Sequence, residues 1–101
     1  MKVALITGAA RGIGKATAAE FAKTGYSLAL LDIDGEELQS TATEFENSGS
    51  EVLKLAIDLG SLEQIEDAVT KIADRYGRID ALVNNAAWRE FETIREITQA
   101  N

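Results

Sequence analysis

Residues 3–21 restrict the fold more than any other stretch. An apolar run, Val3-Ala4-Leu5-Ile6, leads into the turn Thr7-Gly8-Ala9-Ala10-Arg11-Gly12-Ile13-Gly14. Apolar or small residues then recur at Ile13, Thr17, Ala18, Phe21 and Ala22. An unbroken apolar run closed by glycine reads as a strand buried on both faces, and the stripe that follows it reads as a helix. Such a strand belongs in a parallel sheet, because only there do crossover helices cover both faces. The alanines let the helix lie close to that sheet.

The rest of the chain repeats the alternation. Strands are expected at 2–7, at 27–31 ending on Asp32, at 51–57 and at 79–83. Helices are expected at 13–24, 34–48 and 61–76. Gly25, Gly49 and Gly77 stand where the helices should stop. Leu38, Ala42 and Phe45 form the inner face of the second helix. Ile65, Ala68, Val69, Ile72 and Ala73 form that of the third, which Ser61 and Gln64 open as a capping box. Residues 88–96 read as a loop or ragged turn, and Thr98 as the N-cap of a further helix. Alternation of this kind implies an α/β, Rossmann-type doubly wound parallel sheet with right-handed crossovers and strand order 3-2-1-4. Residues 1–101 are expected to form one partial domain of this type, with its ligand at the switch point between strands 1 and 4.

The turn itself suggests the ligand. Gly8 lets the chain leave the strand sharply, Gly12 lets backbone approach phosphates, and Gly14 permits close helix packing. Free amides at the helix N-terminus then favour an anion. With Asp32 following roughly 20 residues on, this is a dinucleotide cradle rather than a purely structural turn. The P-loop pattern fails, because Ala9 replaces its first glycine and Ala16 its Ser/Thr. Lys15 is therefore expected to be a solvated helix residue. Asp32 can accept hydrogen bonds from ribose hydroxyls and repels a 2′-phosphate, which favours NAD over NADP. A bland alternative exists for each polar residue: Asp32 as strand-end polar group, Asp58 as turn former, Asn84 and Asn85 as partners of loop backbone.

The spacing Thr7-Gly8…Gly12-Ile13-Gly14 resembles the signature of the short-chain dehydrogenase/reductase family. Asp58 is similar to the acid that contacts adenine in that family. Asn84-Asn85-Ala86 resembles its Asn-Asn-Ala-Gly motif, with Ala87 in place of the glycine. The resemblance implies a cofactor site at Gly8, Ala10, Arg11, Gly12, Ile13, Gly14, Asp32, Ile33, Asp58, Leu59, Asn84, Asn85 and Ala86. It also implies hydride transfer between an alcohol or ketone and NAD, or NADP, in a full-length member. Arg11 pulls toward NADP, since a base before the middle glycine often accompanies that cofactor in the family; Asp32, aimed at the ribose, outweighs it.

The family's acid–base pair is Tyr-x-x-x-Lys, working with a serine and an asparagine. Here Tyr26 is followed four residues on by Leu30 and Tyr76 by Asp80, so both tyrosines read as packing residues. Asn101 lies too early to be the family's asparagine. No catalytic residue is expected within 1–101, which reads as the N-terminal cofactor half of an oxidoreductase. Two alternatives remain open: a non-catalytic NAD-binding module, and a truncated gene remnant.

Composition excludes several other functions. With 17 acidic and 10 basic residues, a net charge of −7 and no basic cluster, nucleic acid and anionic membranes are poor partners. Lacking histidine and cysteine, the chain has no disulfide and no thiolate or imidazole metal site. The apolar run at 3–6 is too short for a signal core or membrane span, so a cytoplasmic location is expected. The outer strand, at 79–83, would be an unpaired apolar edge, and self-association or loose packing is expected from it.

Overall fold

The computed structural model describes residues 1–85. Seven elements alternate: β1 (Val3–Thr7), α1 (Gly12–Lys23), β2 (Ser27–Asp32), α2 (Gly35–Asn47), β3 (Val52–Ala56), α3 (Leu62–Tyr76) and β4 (Ala81–Val83). The strands form one parallel sheet in the order β3-β2-β1-β4. The expected strand order is therefore met. Expected element ends are off by one or two residues; β4, for example, starts at Ala81 and leaves Ile79 half-buried in the approach to it. The loop at 88–96, the Thr98 cap, Ala86 and the Ala87 substitution lie outside the described residues.

Alternation within the two central strands builds two cores. Ala4, Ile6, Leu28 and Leu30 face α1 and α2, meeting Ala18, Leu38, Ala42 and Phe45. Val3, Leu5, Ala29 and Leu31 point the other way, onto Ile65, Ala68, Val69 and Ile72 of α3. Successive strand side chains take opposite faces, so one apolar run supplies both layers. Each fully buried Leu or Ile contributes about 1.5–3 kcal/mol relative to an exposed one. The two edge strands are less well covered: in β3 only Val52 is buried and the positions after it alternate half-buried and exposed, and all three β4 residues are half-buried.

Two stripe residues depart from expectation. Ala73, one position past Ile72 and so turned off the packed face of α3, is exposed, and Tyr76 is buried on that face instead. Ile13 leaves the packing face of α1 and is 77% exposed, whereas Gly14 and Ala18 are buried. At the first turn of α1 the helix has only begun to lie on the sheet, so its second residue overhangs the strand ends.

Caps fix the helix ends. The Asp34 carboxylate accepts from the Glu37 amide at 3.1 Å and starts α2. The Ser61 hydroxyl accepts from the Gln64 amide at 3.3 Å and starts α3. The expected capping box is only half formed. A turn already occupies the Ser61 amide, which donates to the Asp58 carbonyl at 3.0 Å, and the Gln64 side chain instead accepts from the Asp58 amide at 2.8 Å. Gly77, at φ 72°, ends α3 in the left-handed region and donates its amide to the Ala73 carbonyl.

At the opposite, N-terminal ends of the strands, Asp80 joins β1 to β4. Its carboxylate accepts from the Val3 amide at 2.8 Å and from two Arg78 nitrogens at 2.7 and 2.9 Å. The Arg78 hydrogen bond, followed by that from Val3, holds the Asp80 carboxyl below its ordinary 3.8. Tyr76 packs at 8% exposure and donates its hydroxyl to the Leu28 carbonyl at 2.9 Å; burial pushes this phenol above its ordinary value. Tyr26 lies edge-on to Phe21, with ring centroids 4.9 Å apart. Both tyrosines are therefore packing residues.

Candidate functional site

Parallel strands place their C-terminal ends on one side of the sheet. The expected site residues follow these ends in turn: Gly8–Gly14 after β1, Asp32 and Ile33 after β2, Asp58 and Leu59 after β3, Asn84 and Asn85 after β4. Topology thus brings them to a single edge, with the turn beside the β1/β4 switch point. Ala86 lies outside the described residues.

The glycine turn is held by its neighbours. The Ala9 amide donates to the Leu31 carbonyl at 3.2 Å, and the Ala10 amide to Asp32 Oδ2 at 2.9 Å. Gly8 has a φ of 62°, and a Cβ built there would stand 3.2 Å from the Asn85 Cβ. Gly14 has no such room: a Cβ would meet the Gly8 carbonyl oxygen at 1.9 Å and Asn85 Nδ2 at 3.1 Å. Its packing partner is therefore the turn itself and the end of β4.

Gly12 is different. It also has positive φ, 61°, yet a Cβ there would meet nothing within 4 Å. Above it stands the start of α1, where Arg11 occupies the N-cap position in extended conformation without a side-chain cap. No acid sits in the first turn of α1. The Arg11 carbonyl accepts from the Lys15 amide at 3.3 Å, so the amides before Lys15 have no acceptor within the helix. Both α2 and α3 have side-chain caps and acids in their first turns. Among the helices of the described residues, α1 alone lacks a side-chain cap and a first-turn acid, so its N-terminal N–H groups and positive dipole end face open space, which is what an anion requires. This arrangement fits a dinucleotide pyrophosphate.

The side chains around the turn are engaged. Asp32 Oδ1 accepts from the Asp34 amide at 3.0 Å, so each carboxylate oxygen already holds one backbone N–H. A carboxylate oxygen has two acceptor sites, which leaves capacity for ribose hydroxyls. Arg11 forms an ion pair with Asp34. Lys15, expected to be solvated, is a partly exposed helix residue that pairs at the surface with Glu44 of α2 at 2.6 Å. Asp58 Oδ1 accepts from the Gly60 amide at 2.8 Å, a turn-forming contact. Thr7 donates its hydroxyl to Asn84 Oδ1 and accepts from the Asn85 amide at 3.1 Å, while Asn85 Nδ2 donates to the Thr7 carbonyl at 3.2 Å. The two asparagines thus tie the end of β4 to the end of β1. Ile33 is 71% exposed and Leu59 half-buried.

Two residues at this edge escaped the sequence reading. Asp34 both caps α2 and pairs with Arg11. Thr41, fully buried on α2, donates to the Ala10 carbonyl at 2.6 Å. Its signal was a polar residue three positions after Leu38, on the inner face of an amphipathic helix.

Comparison with known proteins follows the same lines. The family model described as short chain dehydrogenase matches residues 2–101. Sorbitol dehydrogenase of Cereibacter sphaeroides is 42% identical over 98 residues, which is 97% of this chain and 37% of that protein. The 3-oxoacyl-(acyl-carrier-protein) reductase FabG of Thermotoga maritima is 46% identical over 85 residues, 84% of this chain and 35% of that protein. The chain thus spans about two fifths or less of the curated relatives it matches. Among solved structures, a short-chain dehydrogenase/reductase of Burkholderia phymatum in complex with NAD superposes with a TM-score of 0.78 at 32% identity, over 80% of this chain and 29% of that one. L-sorbose reductase of Gluconobacter frateurii, complexed with NADPH and L-sorbose, gives 0.82 at 37% identity, over 85% and 33%.

Proposed function

The chain belongs to the short-chain dehydrogenase family, and from that premise we propose that it is the dinucleotide-binding part of an NAD(P)-dependent oxidoreductase, with NAD the preferred cofactor. The observation that carries this reading is the uncapped start of α1 above the open space at Gly12. Amides of the first turn of α1 would hold the pyrophosphate. The Asp32 carboxylate, fixed by two backbone N–H groups, would accept from the adenosine ribose and disfavour a 2′-phosphate. When bound, the nicotinamide gives or takes a hydride at an alcohol or carbonyl carbon. We assign no catalytic residue within 1–101, which we read as one dinucleotide-binding unit of a longer enzyme.

Asp58 and Leu59 would border the adenine, and Asn84 and Asn85 would hold the β4 end of the cleft in place. Ile13 and Ile33, both largely exposed at this edge, would be covered by the cofactor. A small alcohol or ketone is the substrate class of the whole protein. No helix of the described residues is long and apolar enough to cross a membrane, and we propose a cytoplasmic location. With β4 at the sheet edge, we further propose that the chain alone self-associates; sedimentation as a compact monomer would refute that.

Calorimetric titration with NAD and NADP tests the main reading. Binding of both, with NAD tighter, is the expected result. Absence of heat at millimolar NAD overturns the functional reading, and tighter binding of NADP overturns the choice of cofactor.

A further inference from the structure

Ala10 is held at both of its backbone polar groups. Its amide donates to Asp32 Oδ2 at 2.9 Å, and its carbonyl accepts from the Thr41 hydroxyl at 2.6 Å. Thr41 is fully buried, 31 residues away in sequence, and belongs to a helix that supplies no other group to the phosphate turn's backbone among the described contacts. A buried hydroxyl on an otherwise apolar helix face needs a partner, and this one takes a turn carbonyl rather than a carbonyl of its own helix.

The direction of that carbonyl matters. In a planar trans peptide the C=O of one residue and the N–H of the next point oppositely. Holding the Ala10 carbonyl inward, toward α2, therefore turns the Arg11 amide outward. Arg11 is the N-cap residue of α1, so its amide stands at the head of the uncapped N–H groups that face the space at Gly12. A flip of this peptide would instead put a carbonyl oxygen at the anion's seat, where it would repel a phosphate.

We infer that Thr41 is a positioning residue for dinucleotide binding: its hydroxyl fixes the Ala10–Arg11 peptide with the amide facing the pyrophosphate. The inference rests on the reading of the site as a dinucleotide cradle. It assigns α2 a part in phosphate recognition through the turn's backbone.

Three variants of the full chain test it by NAD calorimetry, with urea midpoints measured alongside. Thr41→Val keeps the shape and removes the donor; NAD binding should weaken about tenfold, the scale of one lost, well-placed hydrogen bond. Thr41→Ser keeps the donor and should bind within about twofold of the parent. Tyr76→Phe loses a comparable buried hydrogen bond far from the turn, lowering stability while leaving NAD affinity unchanged. Should Thr41→Val fail to fold, Thr41→Cys, a weak donor of similar size, should give an intermediate affinity. Parent-like NAD affinity in Thr41→Val or Thr41→Cys overturns the inference, as does equal weakening in Tyr76→Phe. No binding by the parent overturns the functional reading itself.

Discussion

Replacing Gly14 by alanine sets two effects against each other, and their sizes decide the outcome. Gly14 is the third residue of α1, and in a helix alanine is favoured over glycine by about 0.8–1 kcal/mol. On propensity alone, Gly14→Ala should stabilise the chain. The added Cβ would, however, lie 1.9 Å from the Gly8 carbonyl oxygen and 2.7 Å from the Gly8 carbonyl carbon. Ordinary close carbon–oxygen contacts are about 3.3–3.6 Å, so the turn and helix must separate by about 1.5 Å. Both neighbours at that point are backbone, and no flexible side chain can swing away. Overpacking of this kind costs about 1–3 kcal/mol and occasionally more. Because a main-chain group must move, the upper end applies, and after the propensity gain the net loss should be about 2 kcal/mol. For a domain of this size that lowers the melting temperature by about 8–16 °C. Urea unfolding followed by circular dichroism should show a lower midpoint with an unchanged m-value. NAD binding should fall at the same time, since the displaced turn carries the anion seat. A variant as stable as the parent would refute the argument, because it would mean that Gly8 and α1 can part without cost.

Other outcomes follow from single contacts. Tyr76→Phe should lose about 0.5–1.5 kcal/mol, as the Leu28 carbonyl loses a buried donor, measured by the same urea midpoint. Asp80→Asn tests linkage to pH. The folded-state pKa of Asp80 is depressed by Arg78 and the Val3 amide, so its contribution is complete above the unfolded-state carboxylate value and is lost as pH falls through the folded value. Parent and Asp80→Asn stabilities should therefore differ at neutral pH, begin to converge below about pH 4 and meet once pH has fallen through the depressed folded value, the gap also narrowing in high salt; parallel curves would rule the linkage out. Asp34→Asn keeps an N-cap side chain but breaks the ion pair with Arg11. Freed of that carboxylate, Arg11 should improve NADP binding relative to NAD by a few-fold in calorimetry, and an unchanged ratio would show that the pair has no bearing on cofactor choice.

Much of this was legible in the sequence, for physical reasons that differ from residue to residue. Apolar runs such as residues 3–6 name a strand and both of its faces at once, so strand order and layers could be read before the structure. Gly8, Gly12 and Gly14 are recognisable by their spacing, which follows from positive φ at the first two and from lack of room for a Cβ at the third. Roles were harder to read than positions. Gly14 is excluded from carrying a side chain by the turn and Asn85 as well as by helix packing, a contact between residues far apart in sequence. Ile13 fits the helical stripe by spacing but overhangs it, since periodicity says nothing of where a helix first meets the sheet. Gln64 has the spacing of half a capping box, yet the turn at Asp58 takes the Ser61 amide. Thr41 could not be assigned a partner, because a hydroxyl's choice among buried carbonyls depends on a tertiary contact that no local pattern encodes.

The contacts that shape the turn also set a timetable. Residues 7–14 emerge from a ribosome before their supports, which come from Leu31 and Asp32, then Thr41, and finally Asn85, bonded to Thr7 across 78 residues of chain. During synthesis the turn is thus bare while β2 and α2 are being made, and it is closed only when the fourth strand arrives. Cofactor in the cell would meet a nascent chain that has the signature but not the seat. Binding would then report the arrival of β4 beside β1, and NAD would stabilise the assembled form by mass action without templating its earlier stages. In a ribosome-stalled series, binding should appear as one step once residue 85 clears the exit tunnel, not gradually from the first glycine onward.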